Sequence, residues 1–267
     1  MSAIKLVCMD VDGTLLGDDH IRIPDLNRVA LQKAFQKGLH LALVSGRLSA
    51  SLRPIQQNLG ITGPLGCFGG ALVVDERDQI LDQHPITKAQ AIRVIQRVRP
   101  TGMTIFLFGQ NHWYKEKQDA FATVEEEVSC EGTMIGDFET FITNRTTPPF
   151  KVLCMSSDHD QVLRIQAELQ EEFGNELSVC LSSPRYIEVS VKGIDKGNAV
   201  DVLLSHYHLE RRECMAIGDY ENDLGMFREA GLSVAMGNAP DDIKAKADCV
   251  TDTNQAGGLG KAILSIL

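Results

Sequence analysis

Short apolar segments alternate with amphipathic helical patterns at both ends of this chain, and that alternation constrains its fold more than any other feature of the sequence. In the first part, the strand IKLVCM precedes a helix predicted over Pro24–Lys37, and a strand over Leu39–Val44 precedes a helix that ends near Gly60. The alternation returns after about Lys192. Because this order is typical of parallel sheets covered by helices, we predict an α/β fold.

The middle of the chain, residues 85–191, has a different pattern, with a predicted hairpin, a helix and two further strands, LSVCL and YIEVSV. These segments predict a mixed α/β region with a small sheet of its own. We therefore predict two domains: a core domain made of residues 1–84 and 192–267, and a second domain, residues 85–191, inserted into it. A chain of 267 residues is long enough for both.

The composition argues against several partners. The formal net charge of -10 disfavours a nucleic acid, because binding to a phosphate backbone requires a basic surface. No apolar stretch approaches membrane-spanning length, and the first residues, MSAIKLV, lack the regions of a signal peptide. The seven cysteines are scattered without a C-x-x-C pair, which is typical of reduced thiols. We expect a cytoplasmic protein without nucleic acid or membrane partners.

Two aspartates end the first predicted strand, in the sequence CMDVDGTLL. Asp10 and Asp12 follow an apolar run, where a charge is normally absent unless solvent or a cation stabilises it. Spacing excludes an EF-hand loop, whose glycine is sixth and glutamate twelfth, because here Gly13 is fourth and Ile21 twelfth. On these residues alone an ordinary strand-to-loop exit remains open, since Asp and Gly favour turns.

Polar residues also follow two other predicted strands. The segment Ser45–Arg47 follows the strand LALV, and the segment Gly218–Asp223 follows the strand CMAI. Ligands of open α/β sheets bind beyond the carboxyl ends of the strands. We therefore expect both segments to lie near Asp10 and Asp12.

A lysine begins the predicted helix in GIDKGNAV. A cation at a helix N-terminus opposes the helix dipole at a cost of about 0.3–1 kcal/mol unless an anion lies nearby, so Lys196 hints at a bound anion. Asp10, Asp12 and Asp219 would supply the hard oxygen ligands that Mg²⁺ prefers. Donors to phosphate oxygens would come from Ser45, Lys196 and Asn222. Together these groups indicate a phosphoryl-transfer site.

The sequence resembles the haloacid dehalogenase (HAD) superfamily of phosphatases, in its Cof-type branch with a large mixed α/β cap. The motifs that carry the resemblance are VCMDVDGTLL, LVSGR, the lysine of GIDKGNAV, AIGDYENDLGMF, AMGNAP and ADCVTDTNQAGG, and they span nearly the whole chain in the family's order. The resemblance implies a Rossmann-like parallel-sheet core domain with residues 85–191 as the cap. It also implies a Mg²⁺-dependent phosphatase of small phosphorylated metabolites, such as sugar phosphates.

The resemblance also assigns roles to particular residues. Asp10 would attack phosphorus and form an aspartyl-phosphate, and Asp12 would protonate the leaving oxygen and then activate water. Mg²⁺ would be held by the Asp10 side chain, the Asp12 backbone carbonyl and Asp219, with Asp223 supporting the metal or the lysine. The phosphate-binding residues would be Ser45, Gly46, Arg47, Lys196 and Asn222.

Two positions leave alternatives open. Arg47 either binds phosphate or pairs with a neighbouring carboxylate, because arginine serves both roles. Gly69 departs from the pattern of similar proteins, which usually carry Asn-Gly-Ala where this chain has Gly69-Gly70-Ala71. We expect the missing amide to weaken or alter substrate binding without removing the reaction.

The resemblance implies that the cap acts as a lid and sets substrate choice. Candidate substrate-facing residues are Trp113, Tyr114, Arg185 and Tyr186, although aromatic residues on a small sheet more often belong to a core.

Two other functions use related chemistry. A phosphomutase would return the phosphoryl group to a bound sugar, and a phospho-ligand sensor would keep it as a signal. A sensor does not need Asp12 as an acid/base two residues after the nucleophile, so Asp12 favours an enzyme.

Overall fold

The strand–helix alternation at both ends of the chain is present in the computed structural model, which describes residues 3–267. The chain divides into two units. The first, here called the core unit, comprises the chain up to Gln83 together with Ile194–Leu267, and the second, the insert unit, comprises His84–Gly193. Each unit has its own sheet and its own hydrophobic cluster.

Strands and helices are numbered in chain order. The strands are β1 (Leu6–Met9), β2 (His40–Val44), β3 (Leu65–Cys67), β4 (Leu72–Val74), β5 (Ile80–Gln83), β6 (Thr104–Phe108), β7 (Trp113–Lys115), β8 (Thr133–Met134), β9 (Lys151–Met155), β10 (Leu177–Ser183), β11 (Tyr186–Val191), β12 (Cys214–Gly218), β13 (Leu232–Ala235) and β14 (Cys249–Val250). The helices are α1 (Asp25–Gln36), α2 (Ser49–Leu59), α3 (Lys88–Val98), α4 (Ala120–Val128), α5 (Phe138–Asn144), α6 (His159–Phe173), α7 (Lys196–His206), α8 (Leu224–Glu229), α9 (Asp241–Lys244) and α10 (Gly258–Ser265).

The core unit is built on an eight-stranded sheet in the order β14-β13-β12-β1-β2-β3-β4-β5. Neighbours from β14 to β3 are parallel, and β4 and β5 extend the sheet in antiparallel pairing at one edge. The chain runs outward from β1 through β2 and β3, then returns to place β12 on the other side of β1. This Rossmann-like topology confirms the predicted fold class, and it makes the carboxyl ends of β1 and β12 a switch point where ligands bind in such sheets.

The central strands are buried over their whole length. Every residue of β1, and every residue of β12, is shielded from solvent, which explains why both are continuous apolar runs and not alternating ones. The helix predicted over Pro24–Lys37 is α1, with Pro24 just before its first residue. The strands predicted from the sequence therefore agree best with the structure where their residues are buried on both faces of the sheet.

The insert unit contains a six-stranded sheet in the order β10-β11-β9-β6-β7-β8. Its pairings are antiparallel except for β7 with β8. Side chains from this sheet and from α3, α5 and α6 form one buried cluster that includes Leu107, Val152 and Phe173. Among the helices of residues 3–267, none combines the length and apolarity that crossing a membrane would require.

Candidate active site

The predicted site residues of the core unit follow three adjacent strands. Asp10 follows β1, Ser45 follows β2 and Asp219 follows β12, and these strands are neighbours in the sheet. Because the strands are parallel, their carboxyl ends lie at one edge. The sheet therefore brings together segments that are far apart in the sequence.

The turn after β1 lies directly against Asp219. Gly13 has a φ of +79°, and a Cβ placed there would lie 2.4 Å from Asp219 Oδ2, closer than two such atoms can approach. Thr14 Oγ1 donates a hydrogen bond to Asp219 Oδ1 at 3.0 Å. Glycine at position 13 is thus required both by the backbone conformation and by this close approach.

Lys196 joins two buried carboxylates. Its ammonium group donates to Asp10 Oδ1 and to Asp223 Oδ1, both at 2.6 Å, and only 2% of the lysine is exposed. Asp223 is fully buried, and its Oδ2 accepts from the backbone N–H groups of Asp219 and Tyr220 at 2.8 and 3.0 Å. The two carboxylates offset the unfavourable position of Lys196 at the start of α7.

Three carboxylates form one acidic cluster. Asp10, Asp219 and Asp223 each offer an oxygen within 4.8 Å of the others. Burial raises the pKa of Asp10 to about 8, against the opposing charge of Lys196. Burial and the charge of Asp223 raise the pKa of Asp219 to about 6. For Lys196, burial lowers the pKa, but the charges of Asp10 and Asp223 outweigh it and hold the pKa above its ordinary value.

The acidic cluster fits a divalent cation. The Lys196 ammonium group contacts two of the three carboxylates, so negative charge is left uncompensated in a mostly buried place. All of the donors are oxygens, as Mg²⁺ prefers. A cation bound there would favour the ionised form of carboxylates whose pKa burial raises.

Asp12 lies in a different set of contacts from that cluster. Arg47 donates two hydrogen bonds to the Asp12 carboxylate, from Nε to Oδ2 at 2.9 Å and from Nη2 to Oδ1 at 2.6 Å. His20 Nδ1 lies 3.0 Å from Oδ1 of the same carboxylate. Burial favours a higher pKa for Asp12, but the hydrogen bonds from Arg47 and His20 outweigh it and hold the pKa below its usual range. Of the two roles left open for Arg47, the structure contains the pairing with a carboxylate; phosphate binding stays a prediction.

The remaining predicted phosphate-binding residues surround the end of β2. Ser45 is buried, and its Oγ accepts from the backbone N–H of Arg47 at 3.3 Å. The backbone N–H of Gly69 donates to Ser45 O at 2.9 Å, so the loop after β3 touches the loop after β2. Gly46 and Asn222 are exposed. Their contacts with phosphate stay predictions.

Comparison with known proteins identifies the family. A profile of haloacid dehalogenase-like hydrolases matches residues 7–263. The chain belongs to this hydrolase family.

Named relatives of the hydrolase are phosphatases. An HMP-PP phosphatase of Serratia proteamaculans (strain 568) is 30% identical over 244 residues, which cover 90% of this chain and 86% of the relative. A 5-amino-6-(5-phospho-D-ribitylamino)uracil phosphatase of Bacillus subtilis (strain 168) is 31% identical over 262 residues, which cover 97% and 94%. These names and the family membership support an enzyme that hydrolyses phosphate monoesters.

Solved structures of similar proteins have the same fold as the hydrolase. A haloacid dehalogenase-like hydrolase from Bacteroides thetaiotaomicron is 28% identical, with a TM-score of 0.91 over 99% of this chain and 100% of the other. A Thermotoga maritima protein is 26% identical, with a TM-score of 0.90 over 99% and 98%. The similarity covers both units of the chain.

The substrate-facing candidates of the hydrolase's insert unit lie in two places. Trp113 is fully buried, and its Nε1 donates to Cys130 O at 2.8 Å. The hydroxyl group of Tyr114 is hydrogen-bonded to Arg145. The other two candidates, Arg185, which is exposed, and Tyr186, which is half-buried, lie at the turn between β10 and β11. Substrate contact by any of the four stays a prediction, and the two at the turn are the more accessible.

Sequence reasoning missed the contacts that Thr14 and His20 make in the hydrolase's site. Thr14 holds Asp219, and its position directly after Asp12-Gly13 was a signal that could have been used, because a hydroxyl in such a turn is well placed to donate to a neighbouring carboxylate. His20 contacts Asp12, and its φ of +55° is a left-handed backbone conformation that few residues other than glycine adopt. No pattern in the sequence indicated that contact.

Proposed function

We propose that the hydrolase is a Mg²⁺-dependent phosphatase of small phosphorylated metabolites, including sugar phosphates, and that it acts through an aspartyl-phosphate on Asp10. The observation that carries the proposal is the contact of buried Lys196 with Asp10 and Asp223 inside an acidic cluster of hard oxygen donors. The relatives named as phosphatases of small phosphorylated compounds support the same reaction.

Asp10 is suited to be the nucleophile. Lys196 holds Oδ1, whereas in the part of the chain that the structure describes no hydrogen-bond donor contacts Oδ2, which leaves that oxygen for attack on phosphorus. A bond forms between an Asp10 oxygen and phosphorus while the bond to the leaving oxygen breaks. Lys196 fixes the carboxylate in place and offsets the charge of the transferring group.

The cation would be held by the side chains of Asp10, Asp219 and Asp223 and by the backbone carbonyl of Asp12. When bound, Mg²⁺ would neutralise part of the phosphate charge and allow an anionic nucleophile and an anionic substrate to approach each other. Thr14, through its hydrogen bond to Asp219, would help to orient one of these ligands.

Asp12 would move the protons. In the first step it gives a proton to the leaving oxygen; in the second it takes a proton from the water that attacks phosphorus and releases phosphate from Asp10. The contacts with Arg47 and His20 favour the ionised form of Asp12, which is the form needed as a base in the second step. As the acid of the first step, Asp12 must carry a proton, so these contacts have to loosen when substrate binds.

The two units would have different roles in the reaction. We propose that residues 1–84 and 192–267 form the catalytic core domain, and that residues 85–191 act as a cap that sets substrate choice. A cytoplasmic location, with neither nucleic acid nor membrane as partner, belongs to the same proposal. It is supported by seven cysteines that are all free among the described residues.

Phosphate release tests the proposed function. With p-nitrophenyl phosphate and a panel of sugar phosphates, we expect release of inorganic phosphate in Mg²⁺ and only the background rate in excess chelator, because the acidic cluster lacks enough positive charge without the cation. Equal release with and without chelator would contradict the metal requirement. Isomerisation of a sugar phosphate without release would instead identify a phosphomutase.

The substitution Gly69→Asn tests the role of the missing amide. Gly69 has a φ of +65°, a Cβ there meets nothing within 4 Å, and Asn tolerates this conformation better than most residues. We therefore expect a folded protein whose stability changes by less than about 1 kcal/mol, with altered relative kcat/KM values across the sugar phosphate panel. Gly69→Ala is the matched control, because it adds a Cβ without the amide. If both variants keep the wild-type ranking of substrates, the amide at this position has no role.

A further inference from the structure

Asn238, in the loop after β13, donates to two groups of the acidic site. Its Nδ2 lies 2.9 Å from Gly13 O and 3.3 Å from Asp219 Oδ2. The other oxygen of Asp219 already accepts from Thr14. Both oxygens of this carboxylate therefore receive a hydrogen bond, one from the turn after β1 and one from the loop after β13.

Asn254 fixes which way the Asn238 amide points. The backbone N–H of Asn254 donates to Asn238 Oδ1 at 2.9 Å. Because an N–H group can only donate, the oxygen of the Asn238 amide must face it, and the NH₂ group must face Gly13 and Asp219. The assignment of the amide thus follows from its partners.

Asn254 is itself held firmly. It is 2% exposed, and its Nδ2 donates to Leu16 O at 3.1 Å and to Asp18 Oδ1 at 3.0 Å. The loop between β14 and α10, which contains Asn254, is therefore connected to the segment after β1 in two ways. Asn254 contacts Leu16 directly, and it contacts Gly13 indirectly through Asn238. Asn238, whose amide oxygen and amide nitrogen both have hydrogen-bond partners, is therefore held in an orientation that can fix the Asp219 carboxylate.

We propose that Asn238 is a positioning residue that orients the Asp219 carboxylate for the divalent cation. The inference rests on the Mg²⁺ site proposed above and gives a role to the motifs AMGNAP and TNQAGG, which the sequence alone left without one. A carboxylate can rotate about its Cβ–Cγ bond, and hydrogen bonds from Thr14 and Asn238 at its two oxygens fix that rotation. Removing such a partner of a metal ligand typically weakens metal binding by about 10–100-fold.

The alternative is that Asn238 only holds the turn through Gly13. That role would lower stability when Asn238 is removed, but it would leave Mg²⁺ affinity unchanged. Because Asn238 is exposed, its replacement by alanine creates no buried cavity, and we expect the variant to remain folded despite the lost hydrogen bonds. Mg²⁺ affinity therefore separates the two roles, because a loss of stability is expected under both.

The test measures Mg²⁺ binding by isothermal titration calorimetry with the full chain, as wild type, Asn238→Ala and the control Asn175→Ala, which removes an exposed asparagine of the insert unit. We expect Asn238→Ala to raise the Kd for Mg²⁺ at least about tenfold and Asn175→Ala to leave it unchanged. In phosphate release, the Mg²⁺ concentration for half-maximal rate should rise by the same factor. The KM for the phosphate ester and kcat should return to wild-type values at saturating Mg²⁺.

Three other results would contradict the inference. If the wild type binds Mg²⁺ and Asn238→Ala binds it within twofold, the positioning role is wrong while the proposed function stands. If the wild type does not bind Mg²⁺, the metal part of the proposed function is wrong, and this inference falls with it. If Asn238→Ala is unfolded in chelator while Asn175→Ala is folded, Asn238 serves the fold and the inference is overturned.

Discussion

Replacing Asp10 by asparagine is expected to reduce Mg²⁺-dependent phosphate release by at least about a thousandfold. An amide has nearly the shape of the carboxylate, but its oxygen is a poor nucleophile and cannot form an acyl phosphate under these conditions. The variant should still fold, because Lys196 keeps its ion pair with Asp223 and an uncharged amide at position 10 avoids the cost of burying a charge. The measurement is the rate of phosphate release from p-nitrophenyl phosphate, with the unfolding midpoint recorded alongside.

Two variants control that result. Asp10→Ala cannot revert to aspartate by deamidation, so activity that appears slowly in Asp10→Asn but not in Asp10→Ala would be traced to reversion. Asp160→Asn makes the same chemical change at an exposed position of α6 in the insert unit and should keep wild-type activity. Retention of more than a tenth of the wild-type rate by folded Asp10→Ala would exclude Asp10 as the nucleophile.

The second large effect is expected for Lys196→Met, on stability as well as on activity. The lysine is the cation between Asp10 and Asp223, and removing one partner of a buried ion pair typically costs about 3–5 kcal/mol because the other charge is left uncompensated. Phosphate release should fall by at least about a hundredfold, since the proposed donor to the transferring group is lost as well. Urea unfolding in the presence of chelator measures the stability without help from a bound cation.

A double variant separates lost charge from lost packing. If the uncompensated carboxylate causes the instability, Lys196→Met combined with Asp10→Asn should be more stable than Lys196→Met alone. Lys33→Met, at an exposed position of α1, controls for the change from lysine to methionine itself. Equal stability of the single and double variants would mean that the loss comes from packing and not from charge.

The central fold could be predicted because its strands are buried on both faces. The apolar runs of β1, β2 and β12 are continuous, and only a sheet covered on both sides accommodates such strands. The antiparallel edge strand β5 was not predicted. Every residue of β5 is exposed or half-buried, so this edge strand carries too little apolar pattern to stand out from a loop.

For the candidate site, the sequence predicted which residues lie at the ends of the strands, but it did not predict which side chains contact each other. Parallel topology places Asp10 and Asp219 at one edge of the sheet whatever the details of packing. Whether Arg47 and His20 contact the Asp12 carboxylate depends on their side-chain rotamers. For His20 it also depends on a left-handed backbone conformation. For Trp113, the sequence named a substrate-facing candidate but favoured a core position for aromatic residues of the small sheet, and the structure encloses this side chain fully.

The most direct test of the account is to find the phosphoryl group on Asp10. Wild type and Asp12→Asn are mixed with p-nitrophenyl phosphate and Mg²⁺, quenched in acid within one turnover, digested, and examined by mass spectrometry. Because p-nitrophenolate leaves without needing a proton whereas hydrolysis of the intermediate needs a base, Asp12→Asn should accumulate a peptide phosphorylated at Asp10. Absence of that peptide from both proteins, or phosphorylation at another residue, while the wild type releases phosphate, would contradict the proposed mechanism.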